Sequence, residues 1–254
     1  MIKNDFIKIT NLIKKELLEN KVLKEAAIEE EKEGNLIDIT SIIKQINYTQ
    51  NKIIEKEPEI TSTALIYSGN PLVLTHFVLE TIYNNSKLDL YNSSYNIFQA
   101  SLLELVKNIL NDFNMKVNIQ IIVDKQQQTL IQNQQNYNRI VYVGDYFNYE
   151  KLKYYIKNPI TYYSYGHIKI YVDKTKDNEK YVNLIKYAYV HNIEIESYEN
   201  IDDLINDLNE KEEYMIISDE NKLENIKKLE KLENNKNKLI DLNEIKENYI
   251  FRLE

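Results

Sequence analysis

The chain has 254 residues with no Cys, 4 Gly and 3 Pro, and it carries a formal net charge of −8. Missing cysteine excludes disulfides, iron–sulfur clusters, thiolate zinc and every thiol nucleophile, while 43% apolar and 28% charged residues exclude a disordered chain and a membrane-embedded one. Scarce glycine argues against phosphate-cradling loops, and the acidic balance argues against tracking a nucleic-acid backbone.

The first residues, Met1-Ile2-Lys3-Asn4-Asp5, lack the apolar core and cleavage site of a secretory signal, so the expectation is a cytoplasmic protein. Ile2, Phe6, Ile9, Ile13 and Leu17 recur at helical spacing, as do Ile39, Ile42, Ile43, Ile46, Ile53 and Ile54. Between these sets, Glu29-Glu30-Glu31-Lys32-Glu33 reads as a solvated helical face that stops at Gly34-Asn35. From Thr61 the period changes to short β-branched runs alternating with helices. Strands are expected near 63–67, 87–91, 116–123, 139–143, 160–163 and 168–172, with helices at 72–83, 96–113, 126–132, 149–157 and 178–191. Right-handed crossovers then place helices on both faces of a mostly parallel sheet, which is a doubly wound α/β fold. A shorter alternation follows: strands at 193–195, 214–217 and 238–242, and helices at 201–208 and 220–232. The expected organisation is a helical segment over 1–57, a main α/β domain over 58–192 and a trimmed α/β lobe over 193–254.

Three stretches resemble a known family. Thr63-Ala64-Leu65-Ile66-Tyr67-Ser68-Gly69-Asn70-Pro71 is similar to the strand and turn that open the cofactor domain of the aldehyde dehydrogenase superfamily. His167-Ile168-Lys169-Ile170-Tyr171-Val172-Asp173-Lys174, with Asn178-Glu179, resembles a strand of the γ-glutamyl phosphate reductase branch. Asn200-Ile201-Asp202-Asp203-Leu204-Ile205 and Tyr214-Met215-Ile216-Ile217-Ser218-Asp219-Glu220-Asn221 resemble a helix and strand of that branch's catalytic lobe. The resemblance implies a Rossmann-like former cofactor domain followed by a remnant catalytic lobe.

That family's reaction needs a Cys thiolate. Here the corresponding position falls near Glu196, in Ile195-Glu196-Ser197, a stretch read as a solvated loop, with Glu196 as a base and Ser197 as a nucleophile the alternative. Asn70 aligns with the family's oxyanion-donating Asn, or else caps a helix ahead of Pro71. Tyr91 stands where many members present a ribose-binding Lys; its ring either stacks on an adenine or sits partly buried at the strand end. Ser93 and Gly144 complete the weak cofactor candidates, and no cofactor is expected. His76, His167 and His191 show no metal-ligand spacing, so no metal is expected either. Tyr142, Tyr146, Phe147, Tyr162, Tyr163 and Tyr165 gather near predicted carboxyl ends of strands, where tyrosine suits a protein interface.

Together these point to a shortened aldehyde dehydrogenase-like protein without activity, serving a protein partner or a homo-oligomer, with neither nucleic acid nor membrane as partner. The alternative is a nucleotide or small-ligand module in the former NAD(P) crevice.

Overall fold

The computed structural model describes residues 3–33, 37–92, 96–122, 125–144, 146–163, 167–172, 194–198, 201–207, 213–217 and 238–239. They form two compact units, one within 1–164 and the other within 165–249.

The first unit opens with helices α1 (Lys3–Glu19), α2 (Lys21–Lys32) and α3 (Ile39–Ile53). Asparagine and aspartate cap α2 and α3. Asn20 Oδ1 accepts from the Val22 and Leu23 amides, and Asp38 accepts from Thr40. Buried Phe6, Ile9, Ile13 and Leu17 make the inward stripe of α1, while Ile42, Ile46 and Ile53 make that of α3. The charged run of α2 is solvated except at Glu30, which is buried. Its Oε1 accepts the Ile97 amide at 2.7 Å, so the carboxylate occupies the positive end of the helix that Ile97 begins.

Alternation of strand and helix then builds the sheet: β1 (Ser62–Tyr67), α4 (Pro71–Asn84), β2 (Lys87–Asn92), α5 (Ile97–Asp112), β3 (Asn118–Ile122), α6 (Gln126–Asn133), β4 (Arg139–Val143), α7 (Tyr146–Tyr155) and β5 (Ile160–Tyr163). All five strands are parallel in the order β3-β2-β1-β4-β5. The period of two separates the faces. Ala64, Ile66, Tyr91 and Ile140 face Leu130, Leu152 and Ile156 of the α6–α7 side. Leu65, Leu88, Leu90 and Val141 point to the opposite face, where α4 packs on the sheet and α1 and α3 pack on α4. This makes a doubly wound, Rossmann-like α/β layer with an added helical layer.

Twelve of the fourteen α4 residues are buried, because the helix is covered by the sheet on one side and by α1 and α3 on the other. A helix that is apolar all round is the expected solution for such a middle layer. Glycine scarcity is met by asparagine: Asn85, the C-cap of α4, and Asn114 both take positive φ.

Two sequence expectations change here. The strand His167–Val172 (β6) was expected to extend the first sheet; instead it sits inside a second parallel sheet with β7 (Glu194–Tyr198), β8 (Glu213–Ile217) and β9 (Lys238–Leu239), in the order β7-β6-β8-β9. The break between units therefore falls at 164/165, ahead of the expected boundary at 192/193. Helix α7 also begins at Tyr146 rather than 149, taking Tyr146 and Phe147 into its first turn. A short helix, α8 (Ile201–Asp207), accompanies the second sheet and buries Leu204. The expected helices at 178–191 and 220–232 lie outside the described residues.

Candidate functional site

In an open parallel sheet, ligands and partners gather at the carboxyl ends of strands, and especially where the strand order reverses. Here that point lies between β1 and β4. Gly69 follows β1 with φ of 93°, a conformation a side chain would strain. Gln99 of α5 ties this turn down: its amide donates to the Gly69 carbonyl, and its Oε1 accepts from the Tyr67 hydroxyl at 3.0 Å. Asn70 is the α4 cap, its Oδ1 accepting from the Leu72 amide at 2.7 Å with Pro71 opening the helix. Both candidate roles of Asn70 were open in the sequence; the structure shows the cap.

Beyond β4 the site is aromatic. Tyr142 of β4, Tyr162 of β5 and Tyr149 of α7 stack, with Tyr149 and Tyr162 only 4.3 Å apart and 11° from parallel. Tyr146 joins at 6.1 Å from Tyr149 and 6.2 Å from Tyr162. Register explains the meeting: Tyr142 pairs with Tyr162 across parallel strands, so both rings leave the same face just where α7 starts. Gly144 is buried with its amide donating to the Tyr163 carbonyl, and a Cβ there would meet the Tyr142 hydroxyl oxygen at 2.6 Å. The Tyr142 ring thus lies against the Cα of Gly144 and leaves no room for a side chain there.

The outer side of α7 is exposed. Tyr146 is 63%, Phe147 68%, Tyr154 86% and Tyr155 49% exposed, a concentration of aromatic surface on ten residues. Lys151 Nζ lies 3.9 Å over the Phe147 ring. Glu150 accepts from Lys153 at 2.9 Å, which lowers the Glu150 carboxyl pKa and raises that of the Lys153 ammonium. Tyr142 is instead buried, and Tyr162 and Tyr163 are half-buried, so this part of the expected interface is packed rather than presented. Ser93 and Tyr165 lie outside the described residues.

Tyr91 also departs from the cofactor reading. It is buried on the α6–α7 face, where its hydroxyl lies 2.7 Å from that of Tyr137. Tyr137 donates to Asp89 Oδ2 at 2.7 Å, and Lys87 bridges the same oxygen at 2.7 Å. Burial raises the pKa of both tyrosine hydroxyls, reinforced at Tyr137 by its bonds to Tyr91 and Asp89. The ring is thus committed to the core and offers nothing to an adenine. Sequence reasoning missed this network because 46 to 48 residues separate Tyr137 from Tyr91 and Asp89, which alone tie it to the Lys87–Asp89 pair of β2.

In the second unit, Glu196 and Ser197 are exposed residues of the edge strand β7, not members of a loop. Lys169 is the register partner of Glu196, and His167 pairs in register with Glu194. His191 lies outside the described residues. His76 is buried between α3 and α4 with Nδ1 3.1 Å from Thr49 Oγ1. Among the described residues no three His, Cys, Asp or Glu side chains gather as metal ligands. Nor is any described helix long and apolar enough to cross a membrane.

No family model matches the chain. No curated protein matches it either. Among solved structures, γ-glutamyl phosphate reductase from Saccharomyces cerevisiae is similar at 16% identity and a TM-score of 0.47, over 94% of this chain and 75% of that one. NADP-dependent glyceraldehyde-3-phosphate dehydrogenase from Bacillus halodurans, complexed with NADP, is similar at 12% identity and a TM-score of 0.49, over 93% of this chain and 52% of that one. Both are enzymes by name. The expectation of a protein without activity is withdrawn on chemical grounds. Missing cysteine removes one nucleophile; it does not exclude catalysis by other groups.

Proposed function

We propose that this chain is an aldehyde dehydrogenase-like α/β protein that binds a protein partner through the outer face of α7. The sequence resemblance in its three stretches supports the family reading. The observation that carries the binding role is the exposure of Phe147 and Tyr154, stacked in one row on the outer face of the helix with exposed Tyr146 and Tyr155 to either side, since large aromatics left in water gain most by being covered. Beneath them the Tyr142–Tyr149–Tyr162 stack holds the helix against the sheet, giving the patch a rigid base. Affinity capture from the native host with wild type and with Phe147→Ser/Tyr154→Ser tests the reading. Partners retained by wild type and lost by the variant are the expected result; identical sets would overturn it.

A second reading is favoured by the strand order and by Gly69 at its reversal point: a nucleotide or other small ligand held over the ends of β1 and β4. Thermal unfolding with millimolar NAD, NADP, ATP or coenzyme A checks it. A ligand at a hundred times its Kd stabilises by about 3 kcal/mol, so an unmoved midpoint with all four removes this reading.

A further inference from the structure

We propose that the Tyr91–Tyr137–Asp89 network on the α6–α7 face of the first sheet is a one-electron redox site, at which a tyrosyl radical forms on Tyr137 and is sheltered by the core. The donors fix its direction. Tyr137 spends its one hydroxyl proton on Asp89 Oδ2 at 2.7 Å, so the 2.7 Å contact between the two phenols has Tyr91 as donor. The series therefore runs from Tyr91 through Tyr137 to a buried carboxylate. Lys87 Nζ, 2.7 Å from the same oxygen, supplies the counter-charge that such a carboxylate needs, and its side chain, 35% exposed, reaches the surface.

A phenol gives up an electron readily only when its proton leaves as well, so the group that accepts its hydrogen bond decides which tyrosine is oxidised. Tyr67 and Tyr83 are buried like Tyr137, but the first donates to the Gln99 side-chain amide and the second to the Lys56 carbonyl, neutral oxygens that cannot keep the proton. Tyr137 donates to a carboxylate, which can. In the step, one electron passes from the Tyr137 phenol to a one-electron oxidant in solution, a peroxyl radical or a metal(III) complex. The phenol O–H bond breaks and its proton bonds to Asp89 Oδ2 without leaving the hydrogen bond. The products are a neutral tyrosyl radical, a neutral carboxyl group and the reduced oxidant. Tyr91 still donates to the radical oxygen and stabilises it. Radicals on exposed tyrosines are lost by coupling to a second ring or to a thiol: Tyr146 also bonds a carboxylate, that of Glu150, but stands open to solvent. Tyr137 and Tyr91 are 7% and 2% exposed, and the chain has no Cys to quench their radical and no Trp to compete for the oxidant.

Flash oxidation of the full chain with photogenerated ruthenium(III) tris(bipyridine), followed by electron paramagnetic resonance and transient absorption, tests the site. Wild type is expected to give a short-lived tyrosyl population from exposed rings and a long-lived one from the buried pair. Tyr137→Phe should remove the long-lived population, and Tyr83→Phe should leave it. Asp89→Asn should slow its formation by about tenfold or more, since a hydrogen bond to a charged acceptor gives way to one with a neutral amide that keeps no proton. Circular dichroism checks the fold of each variant. Formation in wild type should also be slower in heavy water than in ordinary water, because the proton moves with the electron; this readout needs no variant, and a merely structural network would not move it. A wild type without the long-lived radical, a radical that survives Tyr137→Phe or disappears in a folded Tyr83→Phe, unslowed formation in Asp89→Asn, or equal rates in the two solvents would each overturn the redox site.

Discussion

His76 shows how burial sets chemistry at a single residue. Desolvation between α3 and α4, with Arg139 and Lys56 adding positive potential, lowers its pKa from 6.5 to about 3. It is neutral when folded but protonates below pH 6.5 when unfolded, so its contribution is complete above that pH and declines as pH falls toward 3. Between pH 7 and pH 5 this one group should cost about 2 kcal/mol of stability. Urea unfolding at both values should show that loss shrinking by a similar amount in His76→Gln; an unchanged loss would refute the assignment. Glu30 offers a second test. Removing its carboxylate in Glu30→Ala strands the Ile97 amide and should destabilise by about 1–3 kcal/mol, measured by the same method. Neither role was legible in the sequence, where His76 shows no partner spacing and Glu30 sits within a run read as a solvated face, because each partner lies on another element.

At the scale of elements, the strand ends and helix caps were largely readable. β1, β2, β4 and β5 lie where β-branched runs and flanking helices place them, and Asn70-Pro71 opens α4 as capping preferences expect. The aromatic start of α7 was not readable, since Tyr146 and Phe147 belong equally to a strand-end turn until Tyr162 gives the helix something to stack on. Gly144 depends on that packing. Gly144→Ala drives a Cβ into the Tyr142 ring, at 2.6 Å from its hydroxyl oxygen, and should cost about 1–3 kcal/mol. Combining it with Tyr142→Val should cost less than the two changes summed, as a double-mutant cycle would show. Between α1, α3, α4 and α5 lies an apolar cavity of about 10 Å³ whose lining includes Ile13, Ile46, Val78, Leu103 and Val106. Val106→Ile should fill it and raise stability by about 0.5–1 kcal/mol; a lowered urea midpoint would mean the wall cannot accept the methylene.

For the whole molecule, the amino-terminal helices are structural cover rather than an appendage. Deleting residues 1–57 would bare one side of α4, including surface around His76, Leu79 and Tyr83. The truncated chain is expected to lose cooperative unfolding and to bind a hydrophobic dye, and a sharp melting transition in it would refute this. What the sequence by itself determined is the class of fold, because the periods of 2 and 3.6 and the capping residues are local properties. It also excluded thiol chemistry, because composition needs no coordinates. Tertiary structure alone decided that β6 belongs to a second sheet, that Tyr91 faces Tyr137 instead of a ligand, and that aromatic surface concentrates on α7. Those outcomes turn on which strand pairs with which and on which face each ring leaves, and both are settled by partners distant in the chain.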